Sequence, residues 1–282
     1  MLQKVEVFSS NPSAPELPLG AFMASDDLIQ IRSIDGLGPV KAEIASTPFA
    51  TGDGELYQGS SVGKRNVVMT LGFNPDWVEQ TASSLRQKLY AYFMPKAWTK
   101  LRFFSDELPT VDIEGIVESF EPNMFSQDPE IQVSVLCHKP DFVEIDATIF
   151  TGVVDDGTIE LEFDYAGTVN TGFELQIQAA PDNPSYSGEI NVLNKNQEPP
   201  QIFSVEDVTV DITKYFKLNT VRSQKRVANI AVADGAITNL LAKMTTDSTW
   251  PILEPGVNVI SVAADEPGQA WTLAYFNRFG GL

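Results

Sequence analysis

At 282 residues the chain exceeds one ordinary domain and can bury roughly three quarters of its unfolded surface, so it needs neither disulfides nor a structural metal for stability. Its 38 acidic residues against 19 basic give a formal charge of −19, which argues against stable binding to nucleic-acid phosphates or to an anionic membrane surface. One cysteine excludes an internal disulfide framework, and no run of about eighteen apolar residues offers a membrane-spanning helix.

The first twenty residues lack the continuous apolar core of a secretory signal, which predicts synthesis and assembly in a cytoplasm. Residues 3–9 predict a strand, and the Ser/Asn/Pro/Leu segment that follows, through Gly20, reads as an extended arm or loop. Leu28, Ile29, Ile31 and Ile34 precede the turn IDGLGPV, and residues 40–44 predict another short strand. In PFATGDGELYQGSSVGKR the glycine cluster at residues 52–63 lacks the lysine–serine/threonine ending of a phosphate loop, so a turn explains it better.

The stretch Arg65–Phe104 passes from strand to helix and back to strand. Val67, Met69, Leu71 and Phe73 alternate with polar or small residues, the period of a half-buried strand. Asn74 is placed to cap a helix and Pro75 to occupy its first position, with Asp76 and Glu79 at the positive end of the dipole and Arg86 and Lys88 toward the negative end. Val78, Ala82, Leu85, Leu89 and Tyr92 recur at three- and four-residue spacing, predicting one buried stripe that a sheet or another subunit must cover; Pro95 ends the helix.

Beyond it, Leu101 and Phe103, then Val111, Ile113 and Val117, then Ile131, Val133, Val135 and Cys137 alternate as strands, with Gly115 a candidate bulge and residues 121–129 a hairpin connection. A β domain with one principal helix is therefore expected over residues 1–145. From Thr148 onward the helical period disappears. Short alternating runs around Leu161, Leu175, Ile190, Val210, Phe216, Ala228, Ile260 and Leu273 are separated by turn signals such as Asp156-Gly157, Pro181-Asp182-Asn183-Pro184, Asp234-Gly235 and Pro267-Gly268. Residues 146–282 accordingly read as an all-β sandwich or jelly roll, and the chain as mainly β.

Catalytic chemistry has few candidates. His138 is the only histidine, and as a strand neighbour of Cys137 it points to the opposite face, so the two do not form a Cys–His pair or a closed zinc site. The carboxylate pairs at turns, Asp155-Asp156 among them, have a backbone reason to be there. No catalytic residue, metal ligand or cofactor site is assigned. Basic residues gather in two places: Lys96, Lys100 and Arg102 after the helix, and Lys214, Lys217, Arg222, Lys225 and Arg226 near a hairpin. Each cluster is either a partner for another subunit's carboxylates or a solvated tip. Trp250, Trp271, Tyr186 and Tyr275 are candidates for a sugar-stacking platform, though aromatics in strands are more often core.

Several of these segments together resemble the distal tail proteins of long, non-contractile-tailed bacteriophages: IRSIDGLGPVKAEI, FATGDGELYQGSSVGKRNVVMTLGF, LRQKLYAYFMPK followed by LRFF, and VSVLCHKPDF in the first half, with WPILEPGVNVISV and WTLAYFNRFGGL in the second. The resemblance implies an N-terminal β-barrel-like domain with a helix and a projecting hairpin, and a C-terminal galectin-like sandwich. It further implies a structural virion protein, not an enzyme, six copies of which close into a ring at the tail tip around the channel for DNA. Its implied partners are itself, the tail tube protein, the tail-associated hub protein and receptor-binding proteins; DNA passes through without specific binding. A carbohydrate-binding sandwich used for host-surface recognition is the alternative, and a cell-wall hydrolase a more distant one.

Overall fold

The computed structural model describes residues 2–22, 28–74, 81–123, 129–154, 158–179, 185–264 and 268–282, which form two compact units. The first comprises Met1–Ile145 and Phe279–Leu282, the second Asp146–Arg278. The last four residues thus belong with the first unit, whereas the sequence reading ran the second domain to residue 282.

The first unit is built from β1 (Leu2–Ser9), β2 (Leu19–Phe22), β3 (Ile29–Asp35), β4 (Ala42–Pro48), β5 (Glu55–Val62), β6 (Arg65–Phe73), α1 (Ala82–Tyr92), β7 (Trp98–Ser105), β8 (Val111–Asn123), β9 (Glu130–Cys137) and β10 (Phe142–Glu144). The alternation of Val5/Val7, Val67/Met69/Leu71, Leu101/Phe103 and Ile131/Val133/Val135 puts one row of each strand into a single core, all at 4% exposure or less. The sheet runs β8-β7-β1-β2-β3-β6-β9, and β9 pairs again with β8, so the seven strands close on themselves. β8 makes this possible by its length: Val111–Ile116 pairs with β7 and Ile116–Asn123 with β9. Closure removes sheet edges that would otherwise attract other chains.

Gly115 is not the bulge. The register shift in β8 lies between Val117 and Ser119. A Cβ on Gly115 would sit 2.7 Å from Val135 Cγ1 and 2.8 Å from the Leu136 carbonyl, so the glycine is there to let β9 approach.

The helix also starts later than its sequence signals suggest. Thr81, in extended conformation, is the N-cap: its hydroxyl accepts from the Ser84 N–H, and the Ser84 hydroxyl accepts from the Thr81 N–H. No acidic residue lies in the first turn of Ala82–Tyr92 and no basic residue in its last, so Arg86 and Lys88 fall short of its C-terminal turn. Pro75, Asp76, Val78 and Glu79 lie outside the described residues, as do the turns at 155–157, at Pro181–Pro184 and at Pro267. Leu85, Leu89 and Tyr92 are buried at 2% or less and pack with Phe93 into the barrel core, and the Tyr92 hydroxyl donates to the Leu17 carbonyl.

The second unit is all β: β11 (Thr148–Val153), β12 (Thr158–Tyr165), β13 (Glu174–Gln178), β14 (Ser185–Asn194), β15 (Gln201–Asp211), β16 (Lys214–Asn219), β17 (Arg226–Ala231), β18 (Ile237–Asn239), β19 (Gly256–Ala264) and β20 (Ala270–Tyr275), with one 3-10 turn at Leu241–Lys243. Pairings define a six-stranded row, β11-β20-β13-β16-β17-β18, and a four-stranded row, β15-β14-β19-β12, whose strands pair with each other, among the described residues, where Asp211 meets Lys214 at the β15–β16 corner. Phe163 of β12 stacks on Tyr275 of β20 at 5.3 Å and meets Phe150 of β11 at 5.1 Å, so the two rows face each other across an aromatic core. A final short strand, β21 (Arg278–Phe279), joins the sheet of the first unit beside β10. Among the described residues no helix is long and apolar enough to cross a membrane.

Candidate functional site

The segment read from sequence as a glycine-rich turn is half of a hairpin. β4 and β5 pair from Ala42↔Val62 to Pro48↔Glu55 and form a two-stranded sheet with no hydrogen-bonded neighbour. Register places Val62, Ile44, Tyr57 and Pro48 on one face, and Ala45, Gly59, Ser61 and Thr47 among those on the other. Ile44 is 68% exposed and Tyr57 62%. An isolated two-stranded hairpin is marginal in water. Among the described residues its side-chain and turn ties are local: the Phe49 N–H donates to the Gly54 carbonyl at 3.3 Å, Tyr57 bonds Ser60 at 2.9 Å, and Ser46 bonds Glu55.

What holds the hairpin is at its root. Arg65, the first residue after β5 and its short exit, is 2% exposed. Its guanidinium donates to four backbone carbonyls: Pro140 at 2.6 Å, Gly36 at 2.5 Å, Gly38 at 2.7 Å and Gly280 at 2.5 Å. It also lies 4.5 Å from the centre of the Phe142 ring. Gly36 and Gly38 lead into β4, so one side chain ties together both ends of the hairpin and the returning tail. Gly36 itself sits at φ +87°, with no room for a Cβ against the Asn66 carbonyl. Burial lowers the Arg65 pKa from its usual value, and the carbonyl oxygens take the role a carboxylate plays in an ion pair.

The neighbouring Cys137 is wholly buried, whereas His138 is exposed. Burial pushes the Cys137 thiol up to about 11. The native protein should therefore resist a thiol-specific disulfide reagent at pH 8 and react only on unfolding; rapid native labelling would contradict the burial. Because the fold keeps this proton, its stabilising contribution is complete below the ordinary thiol pKa and is lost as pH climbs toward 11.

The first basic cluster lies at the end of β7. Arg102 holds Asp112 through two bonds of 2.7 and 2.9 Å, while Lys100 reaches the same carboxylate at 3.5 Å, and both cations lie over the Phe8 ring. Lys96 is exposed at φ +73°. Beside them Phe8, Ser10, Trp98, Lys100 and Glu114 line a cleft of about 260 Å³, with Trp98 53% exposed. In the second unit, Lys214 pairs Asp211 at 3.6 Å, Lys217 pairs Glu174 at 2.6 Å, Lys225 lies 5.5 Å from the Trp250 ring, and Arg222 and Arg226 are exposed. Four of the eight cations singled out from sequence are thus engaged by carboxylates of their own unit.

The aromatic platform does not exist as such. Tyr186, Tyr275 and Trp271 are 1%, 4% and 8% exposed and belong to the sandwich core, because their positions fall on the inward phase of β14 and β20. Trp250 is partly buried against Phe203, with Lys225 over its ring. Among the described residues no group of three or more His, Cys, Asp or Glu could hold a metal ion. Sequence reasoning missed Arg65, β5 and the return of the tail.

The chain matches no family profile, and no curated protein is significantly similar to it. Among solved structures, the crystal structure of SPP1 Dit (gp 19.1), described as a paradigm of the hub adsorption apparatus in phages infecting Gram-positive bacteria, superposes with a TM-score of 0.67 at 14% identity, covering 98% of this chain and 99% of that one. The phage P2 baseplate in its activated conformation aligns more distantly: the form with Ca at a TM-score of 0.44 and 8% identity over 98% of each chain, and the form with Sr at 0.42 and 9% over 96% of this chain and 98% of that one. The fold of this chain is the Dit fold.

Proposed function

We propose that this chain is a structural component of a bacteriophage tail tip, a distal tail protein. Its copies close into a hexameric ring that joins the tail tube to the hub and host-attachment apparatus and leaves a channel for DNA. The observation that carries the reading is the match of both units, in order and over 98% of the chain, to SPP1 Dit. Chance likeness of one β-sandwich to another would not extend over two differently built units.

Other features support it. The exposed hairpin β4–β5 and the apolar residues on it suit a subunit that completes its surface by assembly. A formal charge of −19 suits a conduit that must not retain nucleic acid, since carboxylates facing a channel repel phosphates within a Debye length. The protein works by shape and contact; the carbohydrate-binding alternative has lost the three aromatics that are core.

Two measurements test the proposal. Gold-labelled antibody against the chain should decorate virions of the source phage at the distal end of the tail. Native mass spectrometry of the full chain should show a species of six copies of the 30.9 kDa subunit. Label confined to capsids, or intact tails lacking the chain, would overturn the reading.

A further inference from the structure

We infer that the β4–β5 hairpin is a donor arm that docks into the cleft at the β1–β7 ends of a second copy of this chain, apolar face first and acidic tip against Lys96 and Lys100. The inference rests on the ring reading and names the contact that would build it.

The hairpin carries one half of an interface. Ile44, Tyr57 and Val62 share a face and are 56–68% exposed, a concentration of apolar surface on a two-stranded element that has no core of its own. Between Ala42 and Gly63 there are three carboxylates, Glu43, Asp53 and Glu55, and no lysine or arginine. Seven paired residues give the arm a reach of about 24 Å beyond its Arg65-pinned root.

The cleft carries the other half. Trp98 and the half-buried Phe8 offer aromatic surface in a depression of about 260 Å³. Asp112 is held in bidentate fashion by Arg102, which leaves Lys100 with the longer contact of 3.5 Å. Lys96 adds an exposed ammonium at the adjoining turn to the half-buried one of Lys100, against one rim carboxylate, Glu114. A negative arm and a positive-edged aromatic cleft therefore coexist on one unit, and the hairpin's residues remain exposed within it. A second copy supplies what each lacks. Because arm and cleft are different surfaces, the contact is head-to-tail, the kind that generates a ring when the rotation closes. A peptide or other protein would have to reproduce the same pairing of acid and apolar face by coincidence.

The test uses the full-length chain. Tyr57→Cys and Trp98→Cys variants, each made in a Cys137→Ser background and carrying different tags, are mixed and treated with a short bis-maleimide; a product containing both tags is expected. In parallel, sedimentation is measured for the wild type, for Asp53→Lys/Glu55→Lys, for Lys96→Glu/Lys100→Glu, and for an equimolar mixture of the two reversed proteins. Each reversal alone should weaken self-association at least about tenfold, and the mixture should recover it, because both arm–cleft contacts between unlike copies are again complementary. The hairpin contributes nothing to either core, so Asp53→Lys/Glu55→Lys should unfold at the wild-type temperature when both are diluted to monomer; Lys100 pairs Asp112 within its own unit, so the cleft reversal is read by its self-association and by recovery in the mixture. An oligomer that persists in both reversed proteins, with no mixed-tag product, overturns the arm and leaves the ring. A wild-type chain that stays monomeric at every concentration overturns both. Weakening without recovery in the mixture overturns the pairing of tip with Lys96 and Lys100.

Discussion

Replacement of Arg65 by methionine is expected to destabilise the first unit by about 4 kcal/mol, more than a truncation of similar size at an ordinary core position would suggest. Methionine keeps the volume and the contact with Phe142, so the loss isolates the polar part. Four carbonyls, of Gly36, Gly38, Pro140 and Gly280, would lose their donor in a place where water reaches little: the side chain is 2% exposed. Lysine keeps the charge but cannot address four acceptors from one planar fork, so Arg65→Lys should recover only a minority of the loss. The cost should appear in denaturant melts and in faster amide exchange in β6 and β10, and the hairpin root and the tail should loosen together. A wild-type midpoint for Arg65→Met would mean that the carbonyls find water readily and that the cage is not what holds these three segments.

Much of this fold was legible because one-sided burial leaves a period in the sequence. β1, β6, β7, β8 and β9 each show it, and each buries the residues that the alternation selects. β5 was illegible for the complementary reason. ELYQGSSV has neither face against a core, so no alternation was selected, and its glycine and serines imitate a loop. The helix Ala82–Tyr92 takes its cap from Thr81 with Ser84, a less conspicuous signal than Asn74-Pro75-Asp76, whose Pro75 and Asp76 lie outside the described residues. Arg65 could not be recognised at all. It stands first in a strand whose inward phase it shares with Val67, but only the return of Gly280, some two hundred residues later, completes the cage that makes burial of a guanidinium tolerable. The aromatics failed as a site for the opposite reason, since the inward phase of Trp271 and Tyr275 was already visible beside Leu273 and was the stronger signal.

Part of the acidity has a use that requires no channel. β12 ends the four-stranded row of the sandwich, and its outward residues are Glu160, Glu162 and Asp164, alternating with Ile159, Leu161 and Phe163. Carboxylates along an unpaired edge deter strand addition by another chain. β11, at the far end of the other row, reads TIFTGV and has no such charge, with Ile149 58% and Val153 52% exposed. The β11 and β12 edges are thus treated differently, one guarded by charge and the other left apolar. Removing the three carboxylates of β12 should promote aggregation of the isolated chain without altering its melting temperature by more than a few degrees, as turbidity on heating would register.

Substitution of Leu89 by aspartate should be the most damaging single change on the helix, at about 4 kcal/mol or more. Leu89 is 0% exposed and shares the first core with Leu85, Tyr92, Phe93 and the inward rows of the barrel. Aspartate removes the apolar contact, leaves a cavity and places an unpaired carboxylate where no donor waits for it. The chain has one way to reduce that charge cost, to protonate the new acid, so the defect should ease as pH falls through the range where a buried carboxyl takes up its proton. The adjacent Lys88 provides the internal comparison. It is exposed, and the same aspartate there should cost only about 0.5 kcal/mol, chiefly helix propensity. Denaturation of the two variants, followed through amide exchange of β6 and β7, separates the stripe from its neighbour. Equal losses at 88 and 89 would mean that the helix is held by its ends and not by its buried face, and the packing of α1 onto the barrel would then have to be drawn differently.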